Sequence, residues 1–110
     1  QKSSTSWYLP GITWSGTQIV VVGNVGLIAT SPDGIIWTQV TSNTTQNLNG
    51  VTWSGTQFVA VGASGTILTS PDGITWTTRT SGTTNALNGV AWSGTQFVAV
   101  GASGTILTSP

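Results

Sequence analysis

The chain of 110 residues has a formal net charge of zero, 4% charged residues, and no cysteine, methionine or histidine. Disulfides, Ser-His or Cys-His catalysis and the usual zinc sites are thereby excluded, and we expect neither an enzyme nor a cofactor. Lys2 and Arg79 do not form the basic stripe of a nucleic-acid-binding protein, and the longest apolar run, Ile19–Val22, is too short to span a membrane, so we expect neither nucleic acid nor membrane as a partner.

A repeat with a period of 39 residues organises the sequence. Tryptophan recurs at this spacing in two series, one at positions 14, 53 and 92 and the other at 37 and 76. Residues 11–49 and 50–88 are identical at 26 of 39 positions, and residues 48–71 return at 87–110 with one change in 24. Repeats of this length indicate stacked units, because one unit cannot bury its apolar face alone. We therefore predict an N-terminal segment and three units, at residues 1–10, 11–49, 50–88 and 89–110.

The first ten residues, QKSSTSWYLP, predict an outer strand that completes a sheet of the repeat. In this interpretation Trp7 is the equivalent of Trp37 and Trp76. The alternative is a disordered tail, which is common at chain termini. Seven residues separate Trp7 from Trp14, whereas sixteen separate Trp37 from Trp53, so this junction differs from the internal ones.

Each complete unit carries four short strand patterns that are rich in β-branched residues and separated by glycine. In the second unit the strands are predicted at residues 50–53, 57–61, 66–69 and 74–79. Residues 57–61 contain an unbroken apolar run, which indicates a strand covered on both faces, whereas 74–79 alternates, with Ile74 and Trp76 on one face. Four antiparallel strands repeated about every 40 residues are typical of a β-propeller blade, so we predict an all-β propeller built from four-stranded antiparallel blades.

The third unit, residues 89–110, predicts three strands and lacks the outer one. The chain thus encodes about three blades, fewer than the four of the smallest usual ring. An open arc exposes two blade faces, and if each carries roughly 400 Å² of apolar surface, burial of both is worth on the order of 20 kcal/mol. We therefore expect copies of the chain to close a ring, as a homodimer with six blades or, second, as a homotrimer with nine.

Two turns share one motif, SPDGIIW at residues 31–37 and SPDGITW at residues 70–76. Proline fixes φ near −65°, aspartate accepts local backbone N–H groups and glycine adopts positive φ, which together favour a type I turn. The motifs resemble the Asp-box, or BNR-type, repeats of sialidase-like and photosystem-assembly-factor-like β-propellers. The resemblance implies the propeller fold. In that family the aspartate mainly supports the fold, and the same turn-building role is predicted here for Asp33, Gly34, Asp72 and Gly73.

Two functions from different classes fit this pattern. The near-identity of two units favours a non-enzymatic, self-assembling scaffold, consensus-designed or recently amplified, whose partner is another copy of itself. The alternative is a lectin-like propeller, in which a tryptophan stacks on a sugar and polar side chains bind its hydroxyls. The candidate glycan-binding residues are Trp37, Trp76, Arg79, Asn47, Asn49, Asn85 and Asn88. The competing role is core packing for Trp53 and Trp92, and packing of an outer strand against the next blade for Trp37 and Trp76. The neutral, hydroxyl-rich composition is typical of extracellular or synthetic β proteins.

Overall fold

The computed structural model describes residues 11–42, 44–79 and 81–109, so the predicted outer strand at residues 1–10 lies outside the described residues. The strands found there are β1 (Gly11–Trp14), β2 (Ile19–Val22), β3 (Ile28–Ser31), β4 (Thr38–Val40), β5 (Leu48–Trp53), β6 (Phe58–Gly62), β7 (Ile67–Ser70), β8 (Thr77–Arg79), β9 (Leu87–Trp92), β10 (Phe97–Gly101) and β11 (Ile106–Ser109). Short 3-10 turns lie at Asn24–Gly26, Ala63–Gly65 and Ala102–Gly104. None of the helical turns in these ranges has the length and hydropathy needed to cross a membrane.

The strands form three antiparallel sheets, each a meander in chain order. The first sheet contains β1 to β4, the second β5 to β8, and the third β9 to β11. The register repeats from sheet to sheet, since Val20 pairs with Thr30 in the first and Val59 pairs with Thr69 in the second. The prediction of an all-β chain made of antiparallel sheets is confirmed.

The second strand of the second sheet, β6, is covered on both faces, as its apolar sequence predicts. Phe58 and Ala60 belong to an apolar cluster shared with the first sheet, whereas Val59 and Val61 belong to a cluster shared with the third. All four side chains are at most 5% exposed. Alternate residues of one strand therefore hold the two neighbouring sheets.

The first and second sheets pack face to face around the larger cluster. The first sheet contributes Val20, Val22 and Ile28, and the second contributes Leu48, Val51, Phe58, Ala60, Leu68 and Trp76. The ring of Phe58 lies 4.5 Å from that of Trp53 and 6.2 Å from that of Trp76, measured between centroids. Aromatic pairs at such distances add about 0.5–1.5 kcal/mol each to the stabilisation from buried area.

The second and third sheets share a smaller cluster. Its buried members are Val59, Val61, Leu87, Phe97 and Ala99. Trp92 packs against Phe97 with 4.7 Å between ring centroids, which matches the contact of Trp53 with Phe58 one period earlier. The described third sheet has no residue in the place of Trp76, and this difference shapes the groove described below.

The first strands of the three sheets lie side by side. A side-chain carbon on Gly11 would lie 3.0 Å from Cα of Gly50, and one on Gly50 would lie 3.4 Å from Cα of Gly89. Glycine at this position lets neighbouring backbones approach closely. Asn49 adds a polar link, because its Nδ2 donates a hydrogen bond of 2.9 Å to the carbonyl of Leu87. The three sheets therefore converge at β1, β5 and β9.

The fourth strand differs from its prediction. It begins at Thr77 instead of residue 74, because the carboxylate of Asp72 binds the N–H groups of Ile74 and Thr75 and keeps both residues in the turn. The predicted shared face for Ile74 and Trp76 is wrong, since Ile74 is 52% exposed and Trp76 is 3% exposed. Only Trp76 faces the neighbouring sheet.

Candidate functional site

The turn before the fourth strand is held by its own serine and aspartate. The hydroxyl oxygen of Ser70 accepts the N–H of Gly73 at 2.8 Å, and Oδ1 of Asp72 accepts the N–H groups of Ile74 at 2.8 Å and Thr75 at 2.9 Å. Gly73 has a φ of +80°, which favours glycine. The first unit has the same bonds around Ser31 and Asp33, with Gly34 at a φ of +81°.

Both carboxyl groups have a pKa below the ordinary value for aspartate. The N–H of Thr75, and after it that of Ile74, lowers the pKa of Asp72 below its ordinary value of 3.8. Two backbone N–H groups in the corresponding places lower the pKa of Asp33 in the same way. Each aspartate is therefore ionised at neutral pH and bonded within its own turn.

The two tryptophans predicted to stack on a sugar differ in exposure. Trp76 is 3% exposed, and its Nε1 donates a hydrogen bond of 2.9 Å to the carbonyl of Gly73. Trp37 is half-buried and donates to the carbonyl of Gly34 at 3.2 Å. The ring of Trp76 thus presents no open face to solvent in this chain, because the first sheet covers it.

The predicted asparagines mostly join neighbouring segments. Their amide groups make three bonds of 2.8–2.9 Å: Asn47 accepts the N–H of Val25, Asn49 donates to the Leu87 carbonyl, and Asn85 donates to the Thr105 hydroxyl. Asn47 and Asn85 lie in the loops that join successive sheets, and Asn49 lies in β5. Each bond ties its asparagine to a residue of an adjoining sheet. Asn88 is exposed on β9. These contacts explain why amides suit these positions without invoking a ligand.

Arg79 and Asn85 meet at a shallow surface depression beside the 3-10 turn of the second sheet. The side chain of Arg79 is exposed, and its Nε donates a hydrogen bond of 2.9 Å to the hydroxyl of Thr69. Among the described residues, no tryptophan lines this depression. The structure thus brings two of the seven predicted glycan-binding residues together and places the other five elsewhere.

A more enclosed groove, which the repeat pattern alone did not lead us to predict, runs between the second and third sheets. This inter-sheet groove has a volume of about 420 Å³, within the range of ligand pockets. Its apolar walls are formed by Val59, Val61 and Ile67 of the second sheet and by Val90, Phe97, Ala99, Ile106 and Leu107 of the third. Gln57, Thr69, Arg79 and Ser81 are among its polar residues.

The inter-sheet groove has a filled counterpart one period earlier. Its residues Val59, Val61, Ile67, Phe97 and Leu107 correspond to Val20, Val22, Ile28, Phe58 and Leu68, all of which lie in the cluster between the first and second sheets. In that cluster the side chain of Trp76 packs among them. The inter-sheet groove therefore has the walls of a tryptophan site and, in the described residues, no tryptophan in it.

Comparison with models of known protein families gave no match. Comparison with curated proteins of known sequence gave none either.

Proposed function

We propose that the chain is a non-enzymatic β-propeller module that associates with copies of itself, so that the third sheet of one copy packs on the first sheet of the next. The observation that carries this proposal is that residues packed between sheets inside the chain have equivalents on its two outward faces, and most of these equivalents are exposed. We name these the trailing face, formed by Val98, Val100 and Ile106 of the third sheet, and the leading face, formed by Ile12, Trp14 and Ile19 of the first.

The trailing face repeats a surface that is buried elsewhere in the chain. Val22 and Val61 are each 0% exposed, whereas Val100, the same residue one period later, is 45% exposed. Ile28 is 0% exposed, whereas its equivalent Ile106 is 68% exposed. The residue and the strand pairing are the same in each case, and the difference is that, within the described residues, no sheet covers this face of the third sheet.

The leading face repeats the opposite surface. Val51 is 8% exposed and packs against the first sheet, whereas its equivalent Ile12 is 66% exposed. Trp53 is half-buried, whereas Trp14 is 54% exposed. Ile12, Trp14 and Ile19 line an open apolar depression on this face. Large apolar side chains grouped on an open face are typical of an interaction surface.

The two faces are complementary, because each copies one side of the contact between the first and second sheets. Docking the trailing face of one copy on the leading face of another would repeat that contact. Such a heterologous contact forms a ring if the rotation closes. Two chains of three sheets give a six-bladed homodimer, and three chains give nine blades; the six-bladed ring is our first choice.

The proposed absence of catalysis is supported by the chemistry of the chain. It contains no histidine or cysteine, and its two carboxylates are Asp33 and Asp72. Both carboxylates bind backbone N–H groups inside their own turns. They are therefore occupied in holding the fold.

The experiment that tests self-association uses one aspartate on each face. Ile12→Asp and Val100→Asp each place a charge in every head-to-tail contact of a ring, so each variant alone is expected to sediment at the chain mass of 11.2 kDa, whereas the unaltered chain sediments at a multiple of it. In a mixture of the two variants, the unaltered trailing face of Ile12→Asp can dock on the unaltered leading face of Val100→Asp. A 1:1 heterodimer is therefore expected.

The matched control is Ile36→Asp, which alters an equally exposed isoleucine, 70% exposed, in the turn before β4. This variant is expected to associate like the unaltered chain. A monomeric unaltered chain at high micromolar concentration would contradict the proposal. If the mixture of Ile12→Asp and Val100→Asp forms no dimer, the unaltered chain does not associate head-to-tail.

Carbohydrate binding is the second candidate, on the observation that Arg79 and Asn85 line one depression together with hydroxyl groups of Thr78, Ser81 and Thr84. Such groups bind sugar hydroxyls. A glycan array tests it: binding that Arg79→Ala abolishes would support this function, and binding that Arg79→Ala leaves unchanged would exclude this depression as its site.

A further inference from the structure

We propose that the depression around Arg79, named here the Arg79 depression, binds an acidic sugar, with the guanidinium group on the sugar's carboxylate or sulfate and the surrounding hydroxyl groups on its ring. This inference rests on the second candidate function, carbohydrate binding, and names the class of ligand. The residues that line the depression lie in the second sheet and in the link to the third, so neither the leading face nor the trailing face contributes to it.

The two complete units differ most at the positions that form this depression. Ten described residues line it, and six of them differ from their counterparts in the first unit, whereas seven differ among the other 29 positions of the repeat. Three of the six changes put a polar residue where the first unit has an apolar one: Ser64 for Val25, Thr66 for Leu27 and Arg79 for Val40. The second unit thus gathers at one place polar groups that the first unit lacks.

Arg79 supplies a positive charge that no described carboxylate shares. It is the only lysine or arginine among residues 11–42, 44–79 and 81–109. Arg79 pairs with Ile67 at the start of β7, whereas Asp72 follows the end of β7, so the two charges lie at opposite ends of the second sheet. Asp33 is bonded in the corresponding turn of the first sheet. An anion in the depression would therefore meet an unshared cation.

The guanidinium group of Arg79 is oriented by one hydrogen bond. Its Nε donates to the hydroxyl oxygen of Thr69 at 2.9 Å, and the two terminal nitrogens donate to no residue in the described part of the chain. Two such nitrogens form a planar fork that binds two oxygens of a carboxylate or a sulfate in parallel. The bond to Thr69 therefore leaves the end of the fork for an anion.

The groups around the guanidinium suit the ring of a sugar. Thr78 and Thr84 are exposed, and their hydroxyl groups have no hydrogen-bond partner among the described residues. The hydroxyl of Thr66 donates to a backbone carbonyl at 2.7 Å and keeps its oxygen as an acceptor. The amide nitrogen of Asn85 donates to Thr105, which leaves the amide oxygen as a further acceptor. Donors and acceptors of this kind bind sugar hydroxyls, and the adjacent fork adds the preference for a charged sugar.

The test is a heteronuclear NMR titration of the full chain that carries Ile12→Asp, which keeps the protein at one size during the titration. The ligands are methyl glucuronide, its uncharged methyl ester, a sulfated glucose, and acetate. We expect millimolar binding of both acidic sugars, with shifts at Thr78 and Asn85. The ester and acetate should each bind at least about tenfold more weakly than the glucuronide, because the ester lacks the charge and acetate lacks the ring. Added salt should weaken binding of the acidic sugars and leave binding of the ester unchanged.

Three variants locate the ligand. Arg79→Gln removes the charge and should weaken glucuronide binding about tenfold while leaving binding of the ester unchanged. Thr84→Val removes a hydroxyl and should weaken binding of both sugars. The matched control is Thr75→Val, which alters an exposed threonine at the other end of the sheet and should leave both affinities unchanged. The comparison of the four ligands and of salt concentrations uses the unaltered depression, so it stays decisive if one of these variants does not fold.

The outcomes separate this inference from the candidate function on which it rests. Equal affinities for the glucuronide and its ester would overturn the preference for an acidic sugar and leave carbohydrate binding standing, whereas no binding of any sugar at high millimolar concentration would overturn both. Equal affinities for acetate and the glucuronide would show an anion site without sugar recognition and would overturn the inference. Glucuronide binding that Arg79→Gln leaves unchanged would also overturn it. A difference in affinity between the glucuronide and the sulfated glucose identifies the anion that the fork prefers.

Discussion

Trp76 and Trp37 occupy the same place in successive units, and the structure predicts very different costs for their removal. Trp76 is 3% exposed and packs among residues of two sheets, whereas Trp37 is half-buried. Replacing a buried aromatic residue by alanine costs about 3–5 kcal/mol of unfolding free energy. A half-buried ring that leaves no closed cavity costs about 1–2 kcal/mol. The expected difference is about 2–3 kcal/mol.

Urea unfolding followed by far-UV circular dichroism measures this difference without relying on the altered fluorophore. Both substitutions are made in the Val100→Asp background, so that association does not bury Trp37 against a second copy. With a urea slope of about 1–3 kcal/mol per molar, Trp76→Ala should lower the midpoint by about 1 M or more beyond Trp37→Ala. Equal shifts in midpoint would refute the conclusion that the first sheet covers Trp76.

Two further predictions concern backbone geometry and acid. Gly65 and Gly104 both have a φ of +73°, but a side-chain carbon at Gly65 would overlap the carbonyl oxygen of Thr83, whereas one at Gly104 would meet nothing within 4 Å. Gly104→Ala should therefore cost about 1 kcal/mol in urea unfolding and Gly65→Ala at least about 2 kcal/mol more, and similar costs would contradict the described packing. The folded chain lowers the pKa of Asp72 below 3.8, so its contribution to stability is complete above pH 3.8 and is lost as the pH falls through the lowered value. Asp72→Asn should therefore lessen the decline in stability below pH 3.8; an unchanged acid limb in thermal melts would show that the carboxylate is not bonded as described.

The sequence predicts the strands best where one residue pattern determines the environment. The apolar run of β6 requires cover on both faces, and Phe58 and Val59 are indeed buried against different sheets. The pattern is weakest at Ile74 and Trp76, where alternation predicts a shared face. There the local bonds of Asp72 override alternation, because they hold Ile74 in the turn while Trp76 passes to the neighbouring sheet.

The candidate site was harder to predict, because it depends on contacts between units. The motif that contains Trp76 recurs in the first unit with the same spacing of serine, aspartate, glycine and tryptophan. It does not reveal that the ring of Trp76 packs against Val20 and Ile28, which lie 56 and 48 positions earlier. The amides of Asn49 and Asn85 likewise bind partners in the next sheet. A polar side chain in a link was therefore as consistent with a ligand site as with a bond between sheets.

The near-duplication of residues 48–71 at 87–110 also bears on how the chain reaches its native state. Strands β5 to β7 and β9 to β11 have nearly one sequence, so β10 can pair with β5 or β7 during refolding with almost the same local energy as with its native neighbours. Only contacts made after the sheets stack distinguish the correct arrangement. Mispaired intermediates and exchange of strands between molecules are the failure modes that such repetition invites, and refolding yield should fall as protein concentration rises.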